Sequence, residues 1–186
     1  MIRKDLINLI SSYYSNFEEE SVYKNRFLEL LQESDCFLRS KLSGHITASC
    51  WTTNLLGTKV LLMHHAKLDK WLQPGGHADG DEDLIRVAKK ELYEETGLVN
   101  FTYSNSNIFD LDIHTIPIKK DIPEHFHYDV RFHFIANNLS EIQKNHESLD
   151  LKWIDLSQVQ EVCNNERSIM RMVEKTIQMN LKQKTT

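Results

Sequence analysis

A glycine-rich turn followed by an acidic helix pattern, residues 76–98, constrains this chain more than any other segment. It reads GHADGDEDLIRVAKKELYEETGL, and Glu91, Glu94 and Glu95 stand at i, i+3 and i+4 near its end. On a helix these side chains share one face about 5–6 Å apart at Cβ, and each like-charged pair costs about 0.2–0.5 kcal/mol. A hard cation bridging the carboxylates reverses that cost, and oxygen-only ligands suit Mg2+ or Mn2+. The alternative interpretation is an acidic face that contacts solvent.

The same segment predicts which side of the helix is buried. Its apolar residues recur at helical spacing, at Leu84, Val87, Ala88 and Leu92. The first half of this stripe is expected to pack on a core, and the last turn to present carboxylates in a cleft beside it. Gly97 is placed to end the helix in the left-handed conformation, and Asp79 or Asp81 can cap its start.

The whole pattern resembles the Nudix box, which is a glycine, five residues, Glu, seven residues, then Arg-Glu-aliphatic-any-Glu-Glu-any-Gly-aliphatic. The matching residues are Gly76, Glu82, Glu91, Leu92, Glu94, Glu95, Gly97 and Leu98. Lys90 departs from the pattern, because the family has Arg there. The resemblance implies that this residue pairs with Glu82 and orients the glutamates, and Lys keeps the charge without the bidentate fork. We expect looser order around the helix, with activity retained. With WLQPGG and the surrounding strands, the likeness extends over about residues 45–155.

The resemblance also implies an activity and its residues. The expected reaction is hydrolysis of a nucleoside diphosphate linked to another moiety, such as a nucleotide sugar, a dinucleotide or a modified nucleoside triphosphate. Mg2+, with Mn2+ as the alternative, is the expected cofactor, because the reaction needs charge neutralisation and a positioned water. The expected catalytic residues and metal ligands are Glu91, Glu94 and Glu95, with the Gly75 or Gly76 carbonyl as a further ligand. The sequence leaves the substrate, the number of metal ions and the general base open; the base candidates are Glu91, Glu94, Glu124, Asp129 and Glu147.

Four residues are predicted to contact substrate. His77 lies in the glycine turn, where it can donate to a phosphate or simply stabilise the turn. In the predicted strand HYDVRF, Asp129 and Arg131 lie on the polar side and are too charged to be buried without partners. They either pair internally or line the substrate pocket, and we predict the pocket. Lys119, in the preceding loop, is the fourth, because loops after strands commonly contact substrate in the family.

The other histidines and the cysteines argue against a second kind of metal site. His64, His65, His125 and His127 lack the helical or Cys-paired spacing of zinc ligands. The three cysteines are odd in number and far apart, and they are predicted to be reduced, buried thiols.

Composition limits the remaining classes of protein. With 186 residues and 40% hydrophobic content, the chain can bury a substantial core. Its net charge of −5 and dispersed basic residues argue against a nucleic-acid polymer as partner, so a phosphorylated small molecule is expected. The sequence has no long apolar run and no secretory signal pattern, which predicts a cytoplasmic protein without a membrane partner.

The predicted fold is α/β, a Nudix-like α/β/α sandwich with a mixed sheet. Residues 1–44 are predicted to form an N-terminal helical extension and residues 45–186 the Nudix domain. The extension contains two predicted helices, over 4–17 and 19–37, which either cover one edge of the sheet or join a homodimer. The run of three glutamates at 18–20 is expected to be solvated. Strands are predicted at 46–53, 59–64, 71–73, 108–116, 127–136 and 152–155, and a last helix at 166–181.

Two alternatives remain on this fold. A diphosphate isomerase also needs a catalytic cysteine, and neither Cys50 nor Cys163 can be placed in that role. A nucleotide-binding regulator usually loses box glutamates and gains a DNA-binding extension, whereas this chain keeps the glutamates and its first forty residues are slightly acidic. Hydrolysis is therefore favoured.

Overall fold

Helices and strands follow one another largely as the sequence predicts. The computed structural model describes residues 2–104, 107–119, 122–139 and 141–184. Within them the elements are α1 (Arg3–Ser12), α2 (Glu18–Leu30), β1 (Gly44–Asn54), β2 (Lys59–His65), β3 (Lys70–Leu72), β4 (Gly75–His77), α3 (Leu84–Thr96), β5 (Phe101–Tyr103), β6 (Asp110–Ile116), β7 (His125–Ala136), β8 (Ser148–Asp155), α4 (Val159–Val162) and α5 (Arg167–Lys184). None of the helices in these ranges has the length and apolarity that crossing a bilayer requires.

Three short elements, β4, β5 and α4, were not predicted, and three bounds differ most from the prediction: α1 ends at Ser12 rather than at residue 17, α2 ends before residue 37, and β8 begins at Ser148 rather than at residue 152. β4 contains two glycines, which have low strand propensity, and it forms by pairing with β1 in the register Thr47↔His77, Ala48↔Gly76 and Ser49↔Gly75. α2 ends at Leu30 and is followed by turns, in which the backbone N–H groups of Glu33 and Cys36 donate to carbonyls three residues earlier. Pairing with β1 therefore creates a strand that local propensity does not predict. Turns after Leu30 end α2, although the helical spacing of apolar residues continues to residue 37.

The strands pair in the order β3-β2-β1-β7-β5, with β4 on β1, β6 on β7 and β8 on β2. Two compact units are found along the chain. The first comprises residues 1–49, 75–90 and 106–132, and its fully buried core includes Leu6, Ile10, Phe27 and Ile46. The second comprises residues 50–74, 91–105 and 133–186, with Trp51, Leu61, Leu62 and Phe134 fully buried.

Glu20 fixes the N-terminal helices within the first unit. The expectation that residues 18–20 are solvated is wrong for this residue, which is only 1% exposed. Its carboxylate accepts hydrogen bonds from the Tyr13 hydroxyl at 2.6 Å, from the backbone N–H of Leu111 at 2.9 Å and from the Ser15 hydroxyl. A buried carboxylate needs such donors to offset its desolvation. Because Leu111 belongs to β6, this contact supports the interpretation that the helical pair covers part of the sheet.

Candidate active site

The three box glutamates lie on one helix, as their spacing predicts. On α3 the apolar residues Leu84, Val87, Ala88 and Leu92 are at most 4% exposed. Glu95 is 6% exposed, Glu91 is half-buried and Glu94 is exposed. The acidic face therefore runs from buried to solvent-exposed over one turn of helix.

The ends of α3 have identifiable causes. Gly97 has φ +67° and its N–H donates to the Tyr93 carbonyl at 2.8 Å, which confirms the predicted left-handed stop. Before the helix, the Asp81 carboxylate accepts the N–H of Asp83 at 2.8 Å and pairs with Arg86. Asp79, the other predicted cap, instead pairs with Arg39.

Glu82 has a partner that the sequence did not suggest. The Nε of Arg3 donates to one carboxylate oxygen at 3.0 Å, and the backbone N–H of Arg3 donates to the other at 3.0 Å. Arg3 also donates to the carbonyls of Glu33 and Ser34, at 3.1 and 3.0 Å. An arginine from α1 therefore contacts the early glutamate of the box, the contact that the resemblance implied for residue 90. The orienting role of Lys90 stays a prediction.

We expect removal of either cation, Arg3 or Lys90, to change the metal dependence of activity. Arg3→Ala removes the guanidinium from Glu82 and should raise the Mg2+ concentration needed for half-maximal activity, because such supporting contacts typically change metal affinity by about 10–100-fold. Lys90→Arg should be neutral or mildly activating, and Lys90→Ala should also raise the requirement. Mg2+ titrations of activity test each variant. An unchanged requirement in Lys90→Ala would identify Lys90 as a surface residue.

The glycine turn before the box lies close to β1. A Cβ on Gly75 would be 2.3 Å from the Ser49 hydroxyl oxygen and 2.8 Å from the Ala48 carbonyl oxygen, so only glycine fits without a shift. The Ser49 hydroxyl in turn donates to Asp129 at 2.7 Å. The turn and the strand that carries Asp129 are thus coupled through one side chain.

Asp129 and Arg131 belong to a buried ionic network in the first unit. Both are 2% exposed. The Arg131 guanidinium contacts the carboxylates of Asp129 at 2.8 Å, Asp112 at 3.0 Å and Asp110 at 3.2 Å. The Thr47 hydroxyl adds a hydrogen bond to Asp129 at 3.0 Å. The geometry favours the internal pairing that the sequence left open, and contact with substrate stays a prediction.

His77 lies among other histidines and is not isolated in the turn. Its ring centroid is 5.1 Å from that of His45 and 4.9 Å from that of His127. Burial lowers the pKa of His77 to about 4, with Arg39 as a smaller cause, and burial lowers the pKa of His127 to about 2. These rings are neutral near pH 7. The spacing rule applied to the sequence does not detect this group, because separate strands bring its members together.

The remaining predicted residues differ in their exposure to solvent. Lys119 is exposed, and its backbone pairs with that of Ile122. Among the general-base candidates outside the box, Glu124 is exposed and Glu147 is half-buried, whereas Asp129 is buried and accepts the hydrogen bonds described above.

Comparison with known proteins identifies the family. A family model described as NUDIX domain matches residues 44–173. The chain belongs to the Nudix family. Its structure is similar to that of a Caenorhabditis elegans Ap4A hydrolase in a binary complex, with a TM-score of 0.58 and 19% identity over 72% of this chain and 96% of that one. It is also similar to a Nudix-family hydrolase from Clostridium perfringens, with a TM-score of 0.55 and 26% identity over 73% of this chain and 97% of that one.

A curated relative matches over a short segment. It is the phosphatase NudJ of Escherichia coli K12, 54% identical over 28 residues, which are 15% of this chain and 18% of NudJ. The match therefore spans less than a fifth of NudJ. The Nudix membership and the element order confirm the predicted Nudix-like α/β/α fold with its N-terminal helices.

Proposed function

We propose that this Nudix hydrolase catalyses Mg2+-dependent hydrolysis of a diphosphate linkage in a nucleoside diphosphate joined to another moiety. Nucleotide sugars, dinucleotides and modified nucleoside triphosphates are the candidate substrates. The observation that carries the proposal is the arrangement of Glu91, Glu94 and Glu95 on one face of α3, above an apolar stripe that fixes the helix. A related fold occurs in a Caenorhabditis elegans protein described as an Ap4A hydrolase.

The donor set fits a hard divalent cation. All three side chains offer carboxylate oxygens, which Mg2+ and Mn2+ prefer. We propose that Glu91, Glu94 and Glu95 hold the ion, with the Gly75 or Gly76 carbonyl as a further ligand. When bound, the ion supplies the positive charge that offsets the negative charge of a diphosphate.

The chain's own residues then serve the attack of water on phosphorus. As the P–O bond to the bridging oxygen breaks, the attacking water loses a proton that a carboxylate has to accept. Glu94 is the exposed member of the set and can reach solvent water, so we propose it as the general base. Glu95 is nearly buried, where water screens its charge less, and we propose that it acts mainly as a ligand.

The cysteines argue against the isomerase alternative. Cys36, Cys50 and Cys163 are buried and form no disulfide within the described residues, as the sequence predicts. Burial raises the pKa of Cys36 and of Cys163 to about 11, so both stay protonated near pH 7. Cys50 is fully buried on β1. A thiol in these states is a poor acid–base catalyst. The regulator alternative is disfavoured because all three glutamates are present.

We further propose that the substrate is a free small molecule and that the protein acts in the cytoplasm. The negative net charge supports the exclusion of nucleic-acid polymers. A homodimer stays an untested prediction.

A substrate panel tests the proposal. Purified protein is incubated with nucleotide sugars, dinucleoside polyphosphates and oxidised nucleoside triphosphates, with Mg2+ or with EDTA, and products are separated by anion-exchange chromatography. We expect a nucleotide and a phosphorylated second product from at least one class, formed only with the metal. Binding of these compounds without any product would support the regulator. Isopentenyl diphosphate is tested in parallel, and its rearrangement without uptake of water would support the isomerase.

A further inference from the structure

Three histidines from three strands meet in the first unit. His45 lies on β1, His77 on β4 and His127 on β7, and a ring nitrogen of each lies within 4.8 Å of those of the other two. Their ring centroids are 4.9 to 5.1 Å apart. The residues are 32 and 50 positions apart in sequence, so their meeting depends on strand pairing alone.

Strand register explains why the three side chains converge. The pairing of β1 with β4 places His77 opposite Thr47, and His45 precedes Thr47 by two residues, on the same side of β1. The Thr47 hydroxyl donates to Asp129, which follows His127 by two residues on the same side of β7. The histidines therefore continue the row of polar side chains that begins with the buried ionic network.

Two of the three imidazoles have a buried nitrogen without a hydrogen-bond partner among the described residues. His45 is 2% exposed, and its Nδ1 lies 3.2 Å from the Lys41 carbonyl oxygen, which fixes the hydrogen on Nδ1 and the lone pair on Nε2. Within the described residues, Nε2 of His45 and Nε2 of His127 are buried without a hydrogen-bond partner. Buried nitrogens without partners cost folding free energy, so each such atom in a native structure requires an explanation.

We propose that His45, His77 and His127 form a binding site for a divalent transition-metal ion of the zinc class. Imidazole ligands suit Zn2+, Co2+ or Ni2+, whereas Mg2+ prefers oxygen, so the site differs in chemistry from the three glutamates. Three protein ligands leave the fourth position of a tetrahedral ion for water or a substrate oxygen. The Lys41 carbonyl orients His45 in the way that carbonyls orient metal-binding histidines elsewhere.

The geometry needs only side-chain adjustment. With bonds of about 2.0–2.1 Å, a tetrahedral zinc ion places its ligand nitrogens about 3.3 Å apart, so the rings rotate inward from their present separation. Two further histidines border the cluster and already use one nitrogen each. The Nδ1 of His125 lies 2.9 Å from the Pro123 carbonyl oxygen, and the Nδ1 of His114 lies 3.1 Å from the Asp112 carboxylate. A bound ion would connect β4, which carries Gly75 and Gly76, to β1 and β7.

Zinc binding in the presence of excess Mg2+ tests this proposal, because Mg2+ saturates the carboxylate ligands. Calorimetric titration of metal-free protein should show one Zn2+ per chain, and Co2+ should give the visible absorption of a four-coordinate site. His77→Gln and His127→Gln should each weaken Zn2+ binding by at least about a hundredfold, since loss of supporting contacts alone costs about 10–100-fold. His146→Gln, at an exposed position, is the matched control and should bind as the wild type does.

Three outcomes would overturn the proposal: no stoichiometric Zn2+ binding by the wild type, unchanged affinity in both cluster variants, or loss of binding in His146→Gln. If circular dichroism shows that the variants do not fold, the site is tested in the wild type by recording its imidazole 15N NMR resonances during a Zn2+ titration. Zn2+ should then shift the nitrogens of His45, His77 and His127 but not those of His64, and shifts at other histidines alone would contradict the site. Glu95→Gln should bind Zn2+ with wild-type affinity, which separates this site from the carboxylates.

Discussion

Glu95→Gln and Glu94→Gln should each lower turnover by at least about a hundredfold on a confirmed substrate at saturating Mg2+, because each hard ligand contributes several kcal/mol of charge stabilisation. The fold should remain intact, since amide and carboxylate have nearly the same shape and removal of one carboxylate relieves repulsion along α3. Steady-state kinetics give the turnover, and thermal unfolding checks the fold.

Glu161→Gln is the matched control for this prediction. Glu161 is an exposed glutamate on α4, and its replacement removes the same charge from the chain. The control should keep the wild-type rate. A near wild-type rate in Glu94→Gln and Glu95→Gln at saturating metal would remove these residues from the mechanism.

Arg131→Ala should lower the free energy of unfolding by about 3–5 kcal/mol, the typical cost of breaking a buried ion pair from one side. The substitution leaves the carboxylates of Asp110, Asp112 and Asp129 without the guanidinium that contacts all three. Since about 1 kcal/mol corresponds to 2–4 °C for a chain of this length, the melting temperature should fall by at least about 6 °C.

Arg167→Ala is the control for this effect, because Arg167 pairs with Glu174 at the surface and such pairs contribute at most about 1 kcal/mol. Denaturant unfolding of both variants gives the comparison. The competing hypothesis, that Arg131 contacts substrate, predicts a raised KM with little loss of stability. An unaltered melting temperature together with a raised KM would therefore favour the substrate contact.

The acidic helix could be predicted from sequence because its determinants are local. The spacing of Glu91, Glu94 and Glu95, the apolar stripe and Gly97 all act within α3, and each lies where the pattern placed it. Long strands such as β6 and β7 could be predicted for the same reason, because the alternation of polar and apolar residues that indicates them is a local signal.

Features that depend on strand register could not be predicted. β4 has two glycines among three residues and exists only because it pairs with β1. The contact of Arg3 with Glu82 joins residues 79 positions apart, and no spacing rule indicates it. The convergence of His45, His77 and His127 likewise depends on which strands are neighbours.

The buried ionic network had a partial signal in the sequence. Residues 110–112 read Asp-Leu-Asp and residues 129–131 read Asp-Val-Arg, each with charges at alternate positions on one face of a strand. The pairing of β6 with β7 places Asp110 opposite Arg131 and Asp112 opposite Asp129. The alternation indicated that each strand has a polar face. Only the strand register showed that the charges on these two faces pair with each other.

Mn2+ binding followed by electron paramagnetic resonance tests most directly whether the glutamates of α3 hold the catalytic cation. The free-ion signal is measured during titration of wild-type protein, Glu95→Gln, the double variant Glu91→Gln/Glu95→Gln and the Glu161→Gln control. We expect the wild type and the control to bind Mn2+ equally, and the box variants to bind at least about tenfold more weakly. Equal Mn2+ affinity in all four proteins would contradict the assignment of the metal ligands to this helix.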